Sequence, residues 1–437
     1  MKNVRIYQLA PRTFTPEGTL RAAEKLLPHI ASCGFTYVQL TPVVVADDDM
    51  DESKWSPRQR NSGMGNPCNN YRLKDYFEID PEYGTKEDLL SFVRTAHFAG
   101  LKVLIDLVYL HTGPNATLVQ EHPEWMEQDE NGNILVGETW PFPHPNYAEP
   151  ELREYMWSNM TYFVERFDVD GFRCDVGDTV PLDFWQEGIR RCKAIKQDFF
   201  MLNEGGNLDY LVDAFDCNYF WDGSHDSVKV STGELSAKVY REKWDKVHQA
   251  LPRSGRMLHF IDNHDICSDS FDQRHEKLIG NDGVEAQIVM LYTLDGVPFL
   301  FNGNEIADGL KHNMFSNRFH GRDDTVAWHN ALQENGKRRM EVVKKLSALR
   351  DEHDVLNGAS LSWLDNDCDD AVLSFLRPSK EETILVVINL RKEPVQFTLP
   401  IFEKPLANLM ENRVCYQLDE NGMKLQLLSY GYLIARL

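Results

Sequence analysis

The sequence predicts an α/β fold, a large parallel barrel followed by a smaller all-β module. Three observations predict it. At 437 residues the chain is too long for one compact core. Short apolar runs alternate with amphipathic helical runs as far as residue 351. From about Gly358 that alternation gives way to short strands between polar turns. The barrel is organised around Gly171-Phe172-Arg173-Cys174-Asp175, a short strand between two helical stretches that ends in a carboxylate. In a parallel α/β barrel the chemistry sits where strands end at their C-terminal edge.

Val4-Arg5-Ile6-Tyr7-Gln8-Leu9 reads as the first strand. Residues 19–32 follow as one helix, with Leu20, Ala23, Leu26, Leu27 and Ile30 on a single face and Gly34 as its stop. Tyr37-Val38-Gln39-Leu40 is the second strand, closed by Thr41-Pro42-Val43. Residues 44–70 form a long polar segment, and loops of this length inside compact domains are usually functional. A helix over residues 86–98 ends at Gly100. Residues 101–110 are almost continuously apolar apart from Lys102 and Asp106, as a strand buried on both faces would be. Residues 111–147, rich in Pro, Asn, Gly and Glu, leave the barrel, and Pro150 suits the first turn of the helix that returns. Then come a helix over 183–196, a strand over 199–204, a weak strand over 217–220 and a helix over 234–248. Met257-Leu258-His259-Phe260-Ile261 leads into Asp262-Asn263-His264-Asp265. A helix over 284–293, a strand within 296–305 and a last helix over 337–351 complete the barrel. Strands of the module fall at 371–376, 383–389, 395–399 and 432–437.

The net charge of −22 argues against nucleic acid or an anionic membrane surface as partner. It fits a neutral ligand such as a sugar, and equally a plain acidic surface. No apolar run approaches the ~20 residues of a membrane span, and Met1-Lys2-Asn3-Val4-Arg5-Ile6 lacks the apolar core of a secretory signal. A cytoplasmic protein is expected. The eight cysteines are scattered without a C-x-x-C pair, which favours reduced, buried thiols over disulfides or a zinc site.

Four strand-end clusters occur in order: Asp106 with His111, Arg173 with Asp175, Glu204, and Asn263-His264-Asp265. With Asn70-Tyr71-Arg72-Leu73-Lys74-Asp75-Tyr76-Phe77 and the return segment at residues 144–153, they resemble glycoside hydrolase family 13, the α-amylase family, over nearly the whole chain. The resemblance implies a (β/α)8 TIM barrel with a short domain B insertion after strand 3 and a C-terminal antiparallel β-sandwich. Residues 1–110 and 148–355 would be the catalytic barrel, 111–147 domain B and 356–437 the sandwich. It implies a retaining α-glycoside hydrolase acting on α-glucans or α-gluco-oligosaccharides. A transglucosylase or a sucrose or maltose isomerase of the same family is the nearest alternative. A catalytically silent sugar-binding barrel is the rival from another class, opposed by the retention of Asp175, Glu204 and Asp265.

Retaining hydrolysis needs two carboxyl groups ~5–5.5 Å apart in unequal environments. Asp175 is the expected nucleophile, with Arg173 two residues earlier on the same strand face to keep it ionised. Glu204 is the expected general acid/base, because it leaves the hydrophobic Phe199-Phe200-Met201-Leu202 and would feel the charge of Asp175. By resemblance, Asp265 grips sugar hydroxyls, Arg173, His111 and His264 belong to the substrate-binding set, Tyr71 is an aromatic platform, and Asp106 supports the site beside the arginine. Taken singly, each has a structural reading: strand-end carboxylates cap helices, and a lone histidine or tyrosine usually packs. Trp140, His144 and Trp221 carry no assigned role near the mouth, and Arg322-Asp323-Asp324 with Trp328 reads best as a solvated loop.

Two departures qualify the resemblance. Leu110 replaces the Asn that precedes His111 in the family, and Leu cannot ligate a hard cation. No cofactor or metal is therefore required, calcium is in doubt, and the acid-rich residues 47–51 are the other place a cation could sit. Val176 after the nucleophile resembles members that act on α-1,6 bonds.

Overall fold

The computed structural model describes residues 3–63, 68–269, 274–315 and 325–437. Eight parallel strands close a barrel: β1 (Ile6–Leu9), β2 (Tyr37–Leu40), β3 (Lys102–Leu107), β4 (Gly171–Cys174), β5 (Phe200–Asn203), β6 (Cys217–Tyr219), β7 (Arg256–His259) and β8 (Val297–Phe301). Side chains alternate along each strand, so positions two apart share the barrel interior. Ile6, Tyr37, Leu104 and Leu202 fill its lower part as one apolar cluster. Two residues further along each strand stand Gln8, Gln39, Asp106 and Glu204, all buried and all polar. The interior thus turns from oil to charge along its axis within a single alternation. Between β4 and β5 the chain leaves no room for a side chain, since a Cβ on Gly171 would lie 1.9 Å from the Phe200 carbonyl oxygen.

Outside the strands, apolar faces of the helices form the main core, as on Lys86–Phe98 (Leu89, Phe92, Val93, Ala96). The expected helix over 19–32 is two, Leu20–Glu24 and Leu27–Ser32, because Pro28 occupies the first turn of the second and cannot lie inside a continuous helix. Of the helices that the sequence pattern does not show, Trp221–Thr232 is the longest among the described residues. It buries Gly223, Ser224, Asp226, Ser227 and Ser231 with Val228 and Val230 as its apolar members, and Gln287 bonds the Ser227 carbonyl and the Ser231 hydroxyl.

The C-terminal part is antiparallel: β9 (Ser362–Trp363), β10 (Val372–Pro378), β11 (Thr383–Asn389), β12 (Val395–Leu399), β13 (Ala407–Asp419) and β14 (Gly422–Arg436). The first half of β14 pairs β12 and its second half pairs β11, while β13 follows both halves. Leu385, Val387, Phe397, Leu399, Leu425 and Leu433 meet in one core inside this folded sheet, giving the expected sandwich. The opposite face of β11 and β14, with Ile384, Val386, Ile388 and Ile434, joins the main core against the barrel helix Gly280–Thr293. No helix among the described residues is long and apolar enough to cross a membrane. All eight cysteines are free thiols, five of them buried.

Candidate active site

Register brings the acidic groups together. Asp106 pairs across from Arg173 on adjacent strands, and the β4–β5 ladder ends at Cys174 opposite Asn203, so Asp175 and Glu204 leave neighbouring strands side by side. Both line one cleft with Asp265, Tyr71, His111 and His264. Arg173 does not line it. The guanidinium is wholly buried beneath, so it positions the carboxylates rather than meeting a ligand. Its Nη1 donates to Asp106 Oδ1 at 2.7 Å, to Asp106 Oδ2 at 2.9 Å and to Asp175 Oδ1 at 2.9 Å, and Nη2 stands 2.6 Å from Glu204 Oε2.

Three carboxylates around one buried cation cannot all ionise without leaving excess charge in a low dielectric, so the cluster retains a proton. Burial pushes Glu204 well above the usual carboxyl range; Arg173 opposes this, and the charges of Asp175 and Asp265 reinforce it. Asp175 is also raised by burial, but Arg173 and a hydrogen bond with Glu204 pull it back. Burial likewise raises Asp265, yet His264, Arg58 and Arg173 outweigh it and hold that carboxyl below its usual value. Burial raises Asp106 as well, to about 7, against the pull of Arg173, but Glu204 is raised further, so the proton belongs on Glu204.

Hydrogen bonds fix which atoms face the cleft. Val176 N–H donates to Glu204 Oε2 at 3.1 Å. Val176 does so from a left-handed conformation, φ 41°, which is costly for a β-branched residue. Thr179 braces it by donating its hydroxyl to the Val176 carbonyl at 2.6 Å. Asp178 ties the loops after β4 and β5 together, accepting from Asn203 Nδ2, Gly206 N and Asn207 N at 2.6, 2.8 and 2.9 Å.

Gln8 accepts the His264 N–H at 3.0 Å, which orients its amide so that Nε2 donates to His264 Nδ1, also at 3.0 Å. Burial lowers the His264 pKa to about 4, so the ring is neutral with its proton on Nε2, 3.5 Å from Asp265 Oδ2. Gln8 Nε2 also meets Gln39 Oε1 at 2.8 Å, and Gln39 Nε2 reaches Asp106 Oδ2 at 3.4 Å. Tyr71 donates its hydroxyl to the same Asp106 oxygen at 2.9 Å, and its ring lies parallel to that of His264 with centroids 5.0 Å apart. His111, its pKa lowered to about 3 by burial, packs edge-on against Phe142.

Residues 8–133 match the family model for the α-amylase catalytic domain, and residues 362–434 match that for the maltogenic amylase C-terminal domain. A crystal structure of a maltogenic α-amylase from Thermotoga neapolitana superposes with a TM-score of 0.82 at 27% identity, covering 100% of this chain and 99% of that one. Over residues 8–133 and 362–434 the chain carries the patterns of α-amylase family proteins. A maltogenic α-amylase from Bacillus acidopullulyticus is 28% identical over 82% of this chain, and a cyclomaltodextrinase from Geobacillus thermopakistaniensis 25% identical over 95%. The chain spans 63% and 70% of the lengths of those two relatives.

The cleft also holds residues that the motifs did not reveal. Arg58 pairs with Asp265. Trp140, exposed on the excursion after β3, lines the cleft beside His111. Sequence held one signal for Arg58: Ser56-Pro57-Arg58-Gln59 is a capping box with Pro at the first helical position, so residue 58 rides on a defined turn. Trp221, His144 and Trp328 do not line the cleft; Trp328 donates to the Phe14 carbonyl and packs on its ring. Residues 322–324 lie outside the described residues.

The acidic loop at residues 47–51 is cross-linked by its own hydrogen bonds. Asp47 accepts from Asp49 N and Asn115 N, Asp49 from Asp51 N and Lys54, and Asp51 Oδ1 from Ser53, so each of these carboxylates already holds a donor. Among the described residues one His248, His259 and Asp295 group is compact enough for a metal. There, however, His259 Nε2 is engaged with the Asp295 carbonyl, and the charges of Arg350 and Arg377 reach the group.

Proposed function

We propose that the protein is a retaining α-glycoside hydrolase acting on α-glucans or α-gluco-oligosaccharides. The observation that carries this reading is one buried guanidinium, Arg173, contacting two cleft carboxyls held at unequal proton affinity. Asp175 Oδ1 is bound to Arg173, so Oδ2 attacks the anomeric carbon. Glu204 Oε2 is bound to Val176 N–H, so the proton sits on Oε1 and passes to the leaving oxygen as the glycosidic bond breaks. The resulting glycosyl ester on Asp175 is released when Glu204, now ionised, takes a proton from water and the hydroxyl oxygen attacks the same carbon. Two inversions give net retention. Asp265 accepts sugar hydroxyls, and the neutral His264 donates Nε2–H beside it. The Tyr71 ring presents a flat face to the sugar.

The same residues serve transfer when a second sugar hydroxyl replaces water. A relative from Picrophilus torridus, 23% identical, is named a maltosyltransferase, which favours keeping transfer as a second reading. Neither reading requires a metal: with Leu110 and residues 47–51 as they are, turnover should persist in chelator, and loss that calcium restores would refute this part. A cytoplasmic setting belongs to the reading, supported by the free buried thiols and by a Bacillus subtilis relative named intracellular.

The test is a panel of maltotriose, isomaltose, panose, pullulan and starch, with the first-formed anomer read by proton NMR. An α-anomer is expected first. Asp175→Ala should lose at least ~10⁴-fold in kcat, and Glu204→Gln roughly 10²–10⁴-fold, with unchanged circular dichroism. A β-anomer first, or wild-type rates in either variant, sinks the assignment.

A further inference from the structure

Arg58 lies on the loop after β2, and Asp265 follows β7. The strands run β7, β8, β1, β2 around the barrel, so a contact between these two residues bridges the mouth above β8 and β1. The bridge rests on anchored parts. Ser56 and Gln59 close a reciprocal capping box around Arg58, Gln59 is buried, and Trp55 beside them is buried with Nε1 donating to the Asp49 carbonyl. Met314 Sδ stands 3.8 Å from Arg58 Nη1. Met314 is itself held by its N–H to Ser268 Oγ at 2.9 Å and by Arg12, which Glu82 grips through both oxygens at 2.9 and 2.8 Å. Glu204, which gives its proton to the departing group, follows β5 on the far side of the cleft. The leaving part of a sugar chain therefore lies toward β5, and the chain's non-reducing side points at the bridge.

We infer that Arg58 is a specificity-determining residue: its bridge to Asp265 walls the cleft over β8 and β1, so that only the non-reducing end of a glucan enters. The inference rests on the hydrolase reading for the direction of the chain, and it predicts action at chain ends rather than in mid-chain. Arg58 keeps Asp265 charged while the cleft is empty and yields some of its contact when sugar hydroxyls arrive.

The test compares 4-nitrophenyl maltoheptaoside with the same compound carrying a 4,6-ethylidene group on its non-reducing terminal sugar. Wild-type protein should cleave the free compound ~10-fold or more faster, by kcat/KM. Arg58→Ala should bring the ratio most of the way to one, and Arg58→Lys should retain it. The ratio does not depend on the folded fraction of a preparation. A wild-type ratio near one, or a ratio unmoved in Arg58→Ala, overturns the inference. Calorimetric binding of both compounds to Glu204→Gln, with and without Arg58→Ala, reads the wall without turnover. Tighter binding of the free compound that Arg58→Ala abolishes supports the wall even if no sugar is hydrolysed, in which case the hydrolase reading alone falls. Equal affinity for the two, or none for either, overturns the wall.

Discussion

Arg173 holds its cleft carboxylates from below, on a barrel strand, and Arg58 holds Asp265 from above, on a loop. Arg173 has no exposed surface and is enclosed by Asp106, Asp175, Glu204 and the rings of Tyr71 and Tyr219. The Arg58 side chain is 31% exposed and its Asp265 partner 20%. In the first setting an unpaired charge is very costly, so the contacts are permanent. In the second, water reaches both partners, so the pair adds little to the stability of the fold. On the proposed reading, chemistry is carried by the strands and choice of substrate by the loops, which is the usual division of labour on a rigid scaffold.

The sharpest way to break this comparison is Arg173→Met. It should cost about 3–5 kcal/mol of stability by urea unfolding, because buried carboxylates lose their cation, and turnover should vanish with it. Near wild-type stability would mean that the floor does not depend on the pair. Arg58→Ala should cost at most ~1 kcal/mol while changing which oligosaccharides are cleaved.

A smaller effect sharpens the electrostatic half. Glu204 binds its proton more tightly when folded than at its ordinary value of 4.5. The folded state then holds more protons than the unfolded chain above that value, and stability declines as pH rises toward the raised pKa. Urea unfolding from pH 5 to pH 8 should follow this decline, and Glu204→Gln should make it shallower, leaving the part that Asp106, raised to about 7 by burial, contributes. An identical slope in the variant would place the proton elsewhere.

Much of this floor was legible in the sequence because it is built from residues at fixed places on strands. The run Arg173 to Asp175 carries its own geometry, since two residues apart on a strand means the same face. The loops were not legible for the opposite reason. Arg58 meets Asp265 across 207 positions, and Gln8 meets His264 across 256, and no local pattern records such pairings. In the fold, β13 escaped notice because its faces alternate between half-exposed and exposed residues with scarcely a buried one, so the period-two apolar signal is faint. The helix Trp221–Thr232 escaped because serines, a glycine and an aspartate make up most of its buried side, with Val228 and Val230 too few to set an apolar stripe.

Gly171 settles how the protein can change. The strands that lead into Asp175 and Glu204 approach until a single added methyl would collide with the Phe200 carbonyl. The spacing of the reacting pair is thus held by a missing carbon, which mutation can only add to. Laboratory evolution of new sugar preferences will find that position closed, and its productive routes run through the rim of the barrel, where side chains can be exchanged without prying the staves apart.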